Sequence, residues 1–252
     1  MHRFALALIA GLMASPAAAS DPAPDCIVLL HGLARTDASF TVMEVVLRRQ
    51  GYRTVAPEYP STEAEVRPLA RMVVPAALAA CGPGPAHVIT HSMGGILMRV
   101  AEDEGFLPPI ARVVMLGPPN HGSELVDVLS DLTLFDWING PAGRQLGTGP
   151  NAVPASLGPV GFDVGVIAGN TTLNPFFSQL IPGEDDGKVS VASTRVAGMT
   201  DHITLPATHT YMMNDLQVIA QAVTFLETGA FDPDLDVADA ARRLLNAEAE
   251  GQ

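Results

Sequence analysis

The stretch that most restricts what this chain can become is Thr90-His91-Ser92-Met93-Gly94-Gly95. Ahead of it runs the apolar segment Ala86-His87-Val88-Ile89, fenced off by Gly82-Pro83-Gly84-Pro85, and behind it runs Ile96-Leu97-Met98-Arg99-Val100-Ala101. The first segment is short and β-branched between turn residues, so it reads as a buried strand; the second reads as the opening of a helix. A serine on the sharp turn between them, flanked by small residues, follows the pattern G-x-S-x-G. That turn lifts the hydroxyl above the sheet edge. Thr90 replaces the first glycine of the pattern, at a position that wants a small residue against the helix. A Ser/Gly turn without chemistry would satisfy the same letters, so the stretch needs partners elsewhere.

Taken in order, the chain alternates strands with helices. Ile27–Leu30 is a strand ending in the turn His31-Gly32-Leu33, whose backbone N–H groups can face a pocket. Phe40 to Gln50 carries apolar residues at Phe40, Met43, Val46 and Leu47, the spacing of one helix face, and Gly51 is a natural stop. Tyr52–Pro57 is the next strand. A helix capped by Ser61 or Thr62 then runs toward Ala80, with Pro68 and Pro75 warning of a kink or a break. Further strands fit Ala111–Leu116, Val164–Gly169 and His202–Ala207, and a helix fits Met213–Glu227. Such alternation implies a mostly parallel sheet flanked by helices, with sites at the carboxyl ends of the strands. His31, Ser92, Asn120, Asp186 and His209 all follow strands and so converge on one edge.

One region breaks the rhythm. Residues from about 120 to 162 lose clear periodicity, are rich in Gly and Pro, and contain the only tryptophan, Trp137, beside Leu134, Phe135 and Ile138. A connection this long usually has a purpose, and a lid over a hydrophobic pocket accounts for both length and aromatic content. His121 sits at its start.

The N-terminus reads as an export signal. Met1-His2-Arg3 is a charged start, Phe4–Met13 an apolar core too short to span a bilayer, and Ala17-Ala18-Ala19 a cleavage site. No lipid-attachment sequence precedes Cys26. Residues 1–19 are therefore expected to be removed, leaving one domain over 20–230 and an acidic C-terminal tail over 231–252, either loosely attached or a short terminal helix. The formal charge of −13 becomes −14 without Arg3, which disfavours nucleic acid and anionic membranes as partners. Cys26 and Cys81 each precede a strand of the same sheet, and in an exported chain they are expected to form a structural bridge. The oligomeric state is open.

A serine hydroxyl needs a base to take its proton, and that base needs a carboxylate to hold its tautomer. Ser92, Asp186 and His209 occur in the order Ser…Asp…His. With Leu29-Leu30-His31-Gly32, Thr90–Gly95, Asp186-Gly187-Lys188-Val189 and His209, nearly the whole mature chain resembles a minimal α/β-hydrolase of the bacterial lipase and esterase type. The resemblance implies Ser92 as nucleophile, His209 as general base and acid, and Asp186 as its orienter. It also implies an oxyanion hole from the backbone N–H groups of Leu33 and Met93. By their places in the chain, His31, Asn120, His121 and Trp137 are expected toward the pocket or lid. Asp185 is the rival acid, but Asp186 stands before Gly187, where the chain can turn sharply. Asp163, Asp201 and Asp215 suit turns and caps, and His91 a buried hydrogen bond. No zinc-type cluster, phosphate loop or calcium loop is present, so no metal or cofactor is expected.

The expected activity is hydrolysis of carboxylic esters, of lipid or acyl-chain type, through an acyl-enzyme. The same three residues would serve a thioesterase, amidase or acyltransferase, and the fold also admits a non-catalytic binding protein.

Overall fold

In the computed structural model, residues 26–130 and 133–246 are described, with the backbone alone at 133–138 and 246. The leader at 1–19 and the last six residues of the tail lie outside them. Six short segments become strands: β1 (Cys26–Leu30), β2 (Arg53–Val55), β3 (His87–His91), β4 (Val113–Leu116), β5 (Val164–Gly169) and β6 (Asp201–Leu205). They form one sheet in the order β2-β1-β3-β4-β5-β6, and every neighbouring pair is parallel. β1, β3, β4 and β5 are buried throughout. That is why they read as continuous apolar runs rather than alternating ones.

The period of two still sorts their side chains between two cores. Val28, Leu30, Val88, Val113, Met115, Val164 and Val166 face one layer. Ile27, Leu29, Ile89, Val114, Leu116 and Ile167 face the other. The helices, in chain order, are α1 (Thr41–Arg49), α2 (Val66–Ala80), α3 (Met93–Asp103), α4 (Glu124–Leu129), α5 (Thr133–Arg144), α6 (Val153–Ser156), α7 (Pro175–Ser178), α8 (Val191–Thr194), α9 (Leu216–Thr228) and α10 (Val237–Asn246). α2 and α3 close the first core; α1, α9 and α10 close the second. α9 begins where the Asp215 carboxylate accepts from the N–H groups of Gln217 and Val218, and it ends at Gly229 in the left-handed conformation.

Four expectations need correction. α2 starts at Val66 rather than after Ser61, because the Ser61 hydroxyl accepts from the Ala34 N–H (3.1 Å) and ties two loops together. Pro75 lies inside α2 without ending it. Residues 120–162 are not featureless: they hold α4, α5 and α6, with a kink at Gly140. Finally, of the two readings of the C-terminal segment the terminal helix holds, and the domain does not stop at 230. Phe231, Leu235, Ala240 and Leu244 are buried in the second core, so the domain runs on through α10.

The Cys26–Cys81 bridge is formed, with the two Cα atoms 5.7 Å apart. It joins the start of β1 to the end of α2, at the edge of the sheet opposite the site. Among the described residues no helix is long and apolar enough to cross a membrane.

Candidate active site

β1 is followed in sequence by β2 on one side, while β3 lies on its other side. The exits of β1 and β3 therefore flank a topological switch point, where open parallel sheets place their sites. Ser92 stands at the exit of β3 with φ 53° and ψ −120°, a left-handed-side conformation that is strained for any residue but glycine. What holds it there is close packing. A Cβ at Gly94 would come within 2.4 Å of the Leu30 carbonyl oxygen, so only glycine lets α3 press against the end of β1. The branch at Thr90 fits because Gly95 opposes it: a Cβ at Gly95 would sit 3.3 Å from the Thr90 hydroxyl.

His209, from the turn after β6, places Nε2 3.0 Å from the Ser92 hydroxyl and Nδ1 2.7 Å from an Asp186 carboxylate oxygen. The other Asp186 oxygen accepts from the N–H groups of Lys188 (3.0 Å) and Val189 (2.8 Å), which fixes the carboxylate in its plane. Both side chains are almost wholly buried. Asp185 points elsewhere, accepting from the Ser178 hydroxyl and the Gly187 N–H. Of the two consecutive acids only Asp186 meets the imidazole. A relay of this geometry can draw a proton from a serine hydroxyl and stabilise the resulting imidazolium.

The turn after β1 closes the other side. A Cβ at Gly32 would stand 3.0 Å from the Ser92 Cβ, so the Gly32–Leu33 backbone runs directly beside the serine. Leu33 lines the pocket, and Met93 begins α3 right after Ser92. His31 is fully buried, its ring stacked on Tyr59 at 3.7 Å, with Nδ1 donating to the Gly32 carbonyl (2.9 Å). The Tyr59 hydroxyl donates to the His31 carbonyl. His31 thus braces the turn and does not line the pocket, and burial lowers its pKa.

His91 lies beneath His209, ring centroids 4.8 Å apart, and its Nε2–H donates to the His209 carbonyl (2.9 Å). Burial first, and His209 second, hold its pKa well below the ordinary imidazole range. A neutral ring here supports His209 without adding a competing cation.

The pocket in front of Ser92 and His209 has a volume of about 240 Å³, with Leu33, Leu125, Val126, Leu129, Leu146 and Phe177 as its apolar walls. Several of these come from the insertion between β4 and β5. A second hollow of about 160 Å³ shares Phe177, Lys188 and His209 with it. A larger hollow of about 510 Å³ lies at the far end of the sheet, lined by prolines, glycines and alanines with Leu78 and Phe106, and offers no group for chemistry.

Besides His31, two more expected pocket residues lie elsewhere. The Asn120 amide is buried and donates to the Thr194 carbonyl (2.8 Å), a structural tie. His121 is exposed, its N–H donating to the Ser193 carbonyl (3.0 Å). The Trp137 side chain lies outside what is described. Sequence reasoning missed Arg35 and Lys188, both of which line the pocket. Lone cations on loops carry no periodic or motif signal that would have singled them out.

A comparison with curated protein sequences finds no match. Solved structures do share the shape. The mature form of the lipase BlEst2 from Bacillus licheniformis gives a TM-score of 0.66 at 20% identity, covering 85% of this chain and 96% of that one. Lipase B from Aspergillus fumigatus gives 0.65 at 17%, covering 89% and 59%. Phospholipase PlaB from Legionella pneumophila gives 0.64 at 17%, covering 91% and 64%. At these identities the likeness is one of fold. The family model described as "Alpha/beta hydrolase family" matches residues 27–250. A match over that much of the chain, on a parallel sheet with this switch point, means that the protein belongs to the alpha/beta hydrolase family.

Proposed function

We propose that the protein is an exported serine hydrolase that cleaves carboxylic esters through an acyl-enzyme. The observation that carries this reading is the unbroken hydrogen-bond line from the Ser92 hydroxyl through His209 to Asp186, opening onto an apolar pocket.

In this reading the Ser92 oxygen attacks the ester carbonyl carbon while His209 Nε2 takes its proton. The N–H groups of Leu33 and Met93 receive the negative oxygen of the tetrahedral intermediate. Each such donor is worth about 3–4 kcal/mol in a measured serine hydrolase. Collapse expels the alkoxide, which leaves as alcohol with the proton from His209. Water then gives a proton to His209 and attacks the acyl-enzyme. A second collapse releases the acid and restores the Ser92 hydroxyl. Asp186 stays ionised throughout and steadies the imidazolium.

The apolar walls suit an acyl chain. A volume of about 240 Å³ lies below the roughly 300–1,000 Å³ of ordinary small-molecule sites, which favours a short chain over a long one unless the insertion at 120–162 moves as a lid. Export to the periplasm or medium is supported by the N-terminal pattern of residues 1–19 and by the formed disulfide.

The test is a fluorophosphonate probe together with 4-nitrophenyl esters from acetate to palmitate. The probe should label Ser92, and Ser92→Ala should lose on the order of 10⁶ in kcat, as in a comparable serine enzyme. Labelling at another residue, or full activity in Ser92→Ala, would remove the assignment.

A further inference from the structure

The mouth of the pocket has a charge out of keeping with the rest of the molecule. The chain carries a formal charge of −13, yet among the described residues lining this pocket none is acidic, and two, Arg35 and Lys188, are permanent or near-permanent cations. Neither side chain makes a hydrogen bond or ion pair among the described residues, whereas most of the other described arginines do. Lys188 is exposed by area but closely ringed by protein. Its pKa is lowered by desolvation first and by Arg35 second, while Asp186 pulls it upward. Asp186 is already matched by His209 and two backbone N–H groups, so it leaves the pair of cations without a dedicated counter-charge. Two like charges facing one cavity, partly stripped of water, repel each other until an anion arrives between them.

Their placement decides what the anion belongs to. Arg35 follows the turn of Gly32 and Leu33 beside Ser92, and Lys188 follows Asp186 and lines both hollows that meet at His209. An anion held there sits within one substrate's length of the reacting serine. From this arrangement we propose that Arg35 and Lys188 are specificity residues that select esters bearing an oxyanion group, a carboxylate or a phosphate, beside the ester bond. The proposal rests on the ester-hydrolase reading for its chemistry, but the recognition step stands apart from hydrolysis.

The experiment pairs esters of similar size that differ in charge. On the acyl side, mono-4-nitrophenyl adipate is set against 4-nitrophenyl hexanoate; on the alcohol side, 4-(butyryloxy)phenyl phosphate against phenyl butyrate. At least one anionic ester should exceed its neutral partner about tenfold or more in kcat/KM, the scale of a charge-assisted contact. The arm that does so tells whether the charge sits on the acid or the alcohol. Arg35→Met and Lys188→Met should each lower that ratio severalfold, and Arg35→Glu should bring it below one. Raising salt from about 20 mM to about 500 mM should also shrink it. Both residues reach the surface, so a thermal melt checks that each variant is folded.

Isothermal titration of Ser92→Ala with the adipate and hexanoate esters, and with the phosphate and phenyl esters, reads recognition without turnover. If wild type hydrolyses none of the four but the anionic esters still bind more tightly, the ester-hydrolase reading fails and the cation pair stands. If neutral esters bind and react as well as anionic ones in both arms, or the variants leave the ratios unchanged, the pair has no such role.

Discussion

The two walls of the pocket are built by different means. The sheet-edge wall, carrying Ser92, Asp186, His209 and the turn at Gly32, rests on a parallel ladder whose four central strands are buried end to end. Ser92, His209 and the turn at Gly32 each stand just past a strand, and Asp186 is fixed by the N–H groups of Lys188 and Val189. The insertion wall, from Pro119 to Phe162, is built from α4 of six residues and α6 of four, on either side of the kinked α5. Pieces so short do not hold themselves together. They are held by distant polar ties: Arg99 donates to the carbonyls of Asn120, Leu157 and Gly158, Gln145 accepts from the Val66 N–H, and Ser123 donates to the Lys188 carbonyl. Gly140 completes the set. At φ +62°, with the Thr62 carbonyl where a Cβ would go, no other residue fits there. Reactivity belongs to the wall made by local order, and the shape of the pocket to the wall made by long-range contacts.

The largest expected effect tests the first wall at its finest grain, between two consecutive acids. Asp186→Asn removes the carboxylate that holds the His209 tautomer and should cost about 10⁴ in kcat, the value for the corresponding change in a serine protease. Asp185→Asn should cost far less in kcat, because its carboxylate serves Ser178 and Gly187 rather than His209. Steady-state kinetics on the best ester decide it. A crippled Asp185→Asn beside a healthy Asp186→Asn would mean that the acid is one residue earlier.

The same division explains what the sequence disclosed. Strands β1, β3, β4 and β5 are continuous apolar runs between turn residues, and a run of that kind reports its own burial. Ser92 is legible because it follows such a run directly; Asp186, well past β5, and His209, after the half-buried β6, are legible through the order Ser…Asp…His. Asn120 and His121 also follow one, yet the Asn120 amide turns away to Thr194 and His121 is exposed outside the pocket lining; a position after a strand says which edge a residue reaches, not which way it points. α4 to α6 were illegible because their shape depends on Arg99, 21 residues from Asn120 and 59 from Gly158, a pairing with no local signature. α10 carries two of the four buried apolar positions of 231–246, Ala240 and Leu244, and is hard to read because Asp232, Asp234, Asp236 and Asp239 interrupt the apolar spacing. Arg35 and Lys188 gain their meaning only from each other.

The next two effects should separate the walls. Replacing Cys26 and Cys81 by alanine opens a loop of 55 residues, for which chain entropy gives up to about 4 kcal/mol. The bridge sits at the edge of the sheet away from Ser92, so urea midpoints should fall while kcat and KM hold. A changed KM would mean that the far edge of the sheet reaches the pocket. Arg99→Met acts on the other wall. Arg99 is almost fully buried, with burial bringing its pKa down to about 10, and its neighbours in the site are carbonyl oxygens rather than a bonded carboxylate. Leaving those acceptors dry should cost about 3 kcal/mol. It should raise KM more than it lowers kcat, because it loosens the insertion and not the relay. An equal fall in kcat with unchanged KM would show that the two walls are coupled more tightly than their contacts suggest.

The smallest effect lies where the walls are laced together. The His202 ring on β6 donates from Nε2 to the Thr194 hydroxyl (2.9 Å), and the Thr194 carbonyl accepts from Asn120, which Arg99 in turn holds. Burial first and Arg195 second lower the His202 pKa from 6.5 to about 4. The folded protein therefore keeps this ring neutral while the unfolded chain protonates it near pH 6.5. The sign follows: the stability it contributes is complete above about pH 6.5 and is lost as pH falls toward 4. The ring is only half-buried, so solvent screening trims the effect, and about 1 kcal/mol between pH 7.5 and pH 5 is a fair expectation. His202→Gln keeps a donor for Thr194 but cannot gain a proton. Its urea midpoint should fall less than that of wild type over the same interval. The part that remains belongs to His91 and His31, whose pKa values are also lowered by burial. If wild type and His202→Gln lose stability in parallel, the acid sensitivity sits under the relay at His91 and His31, in the sheet-edge wall, and not in the lacing between the walls.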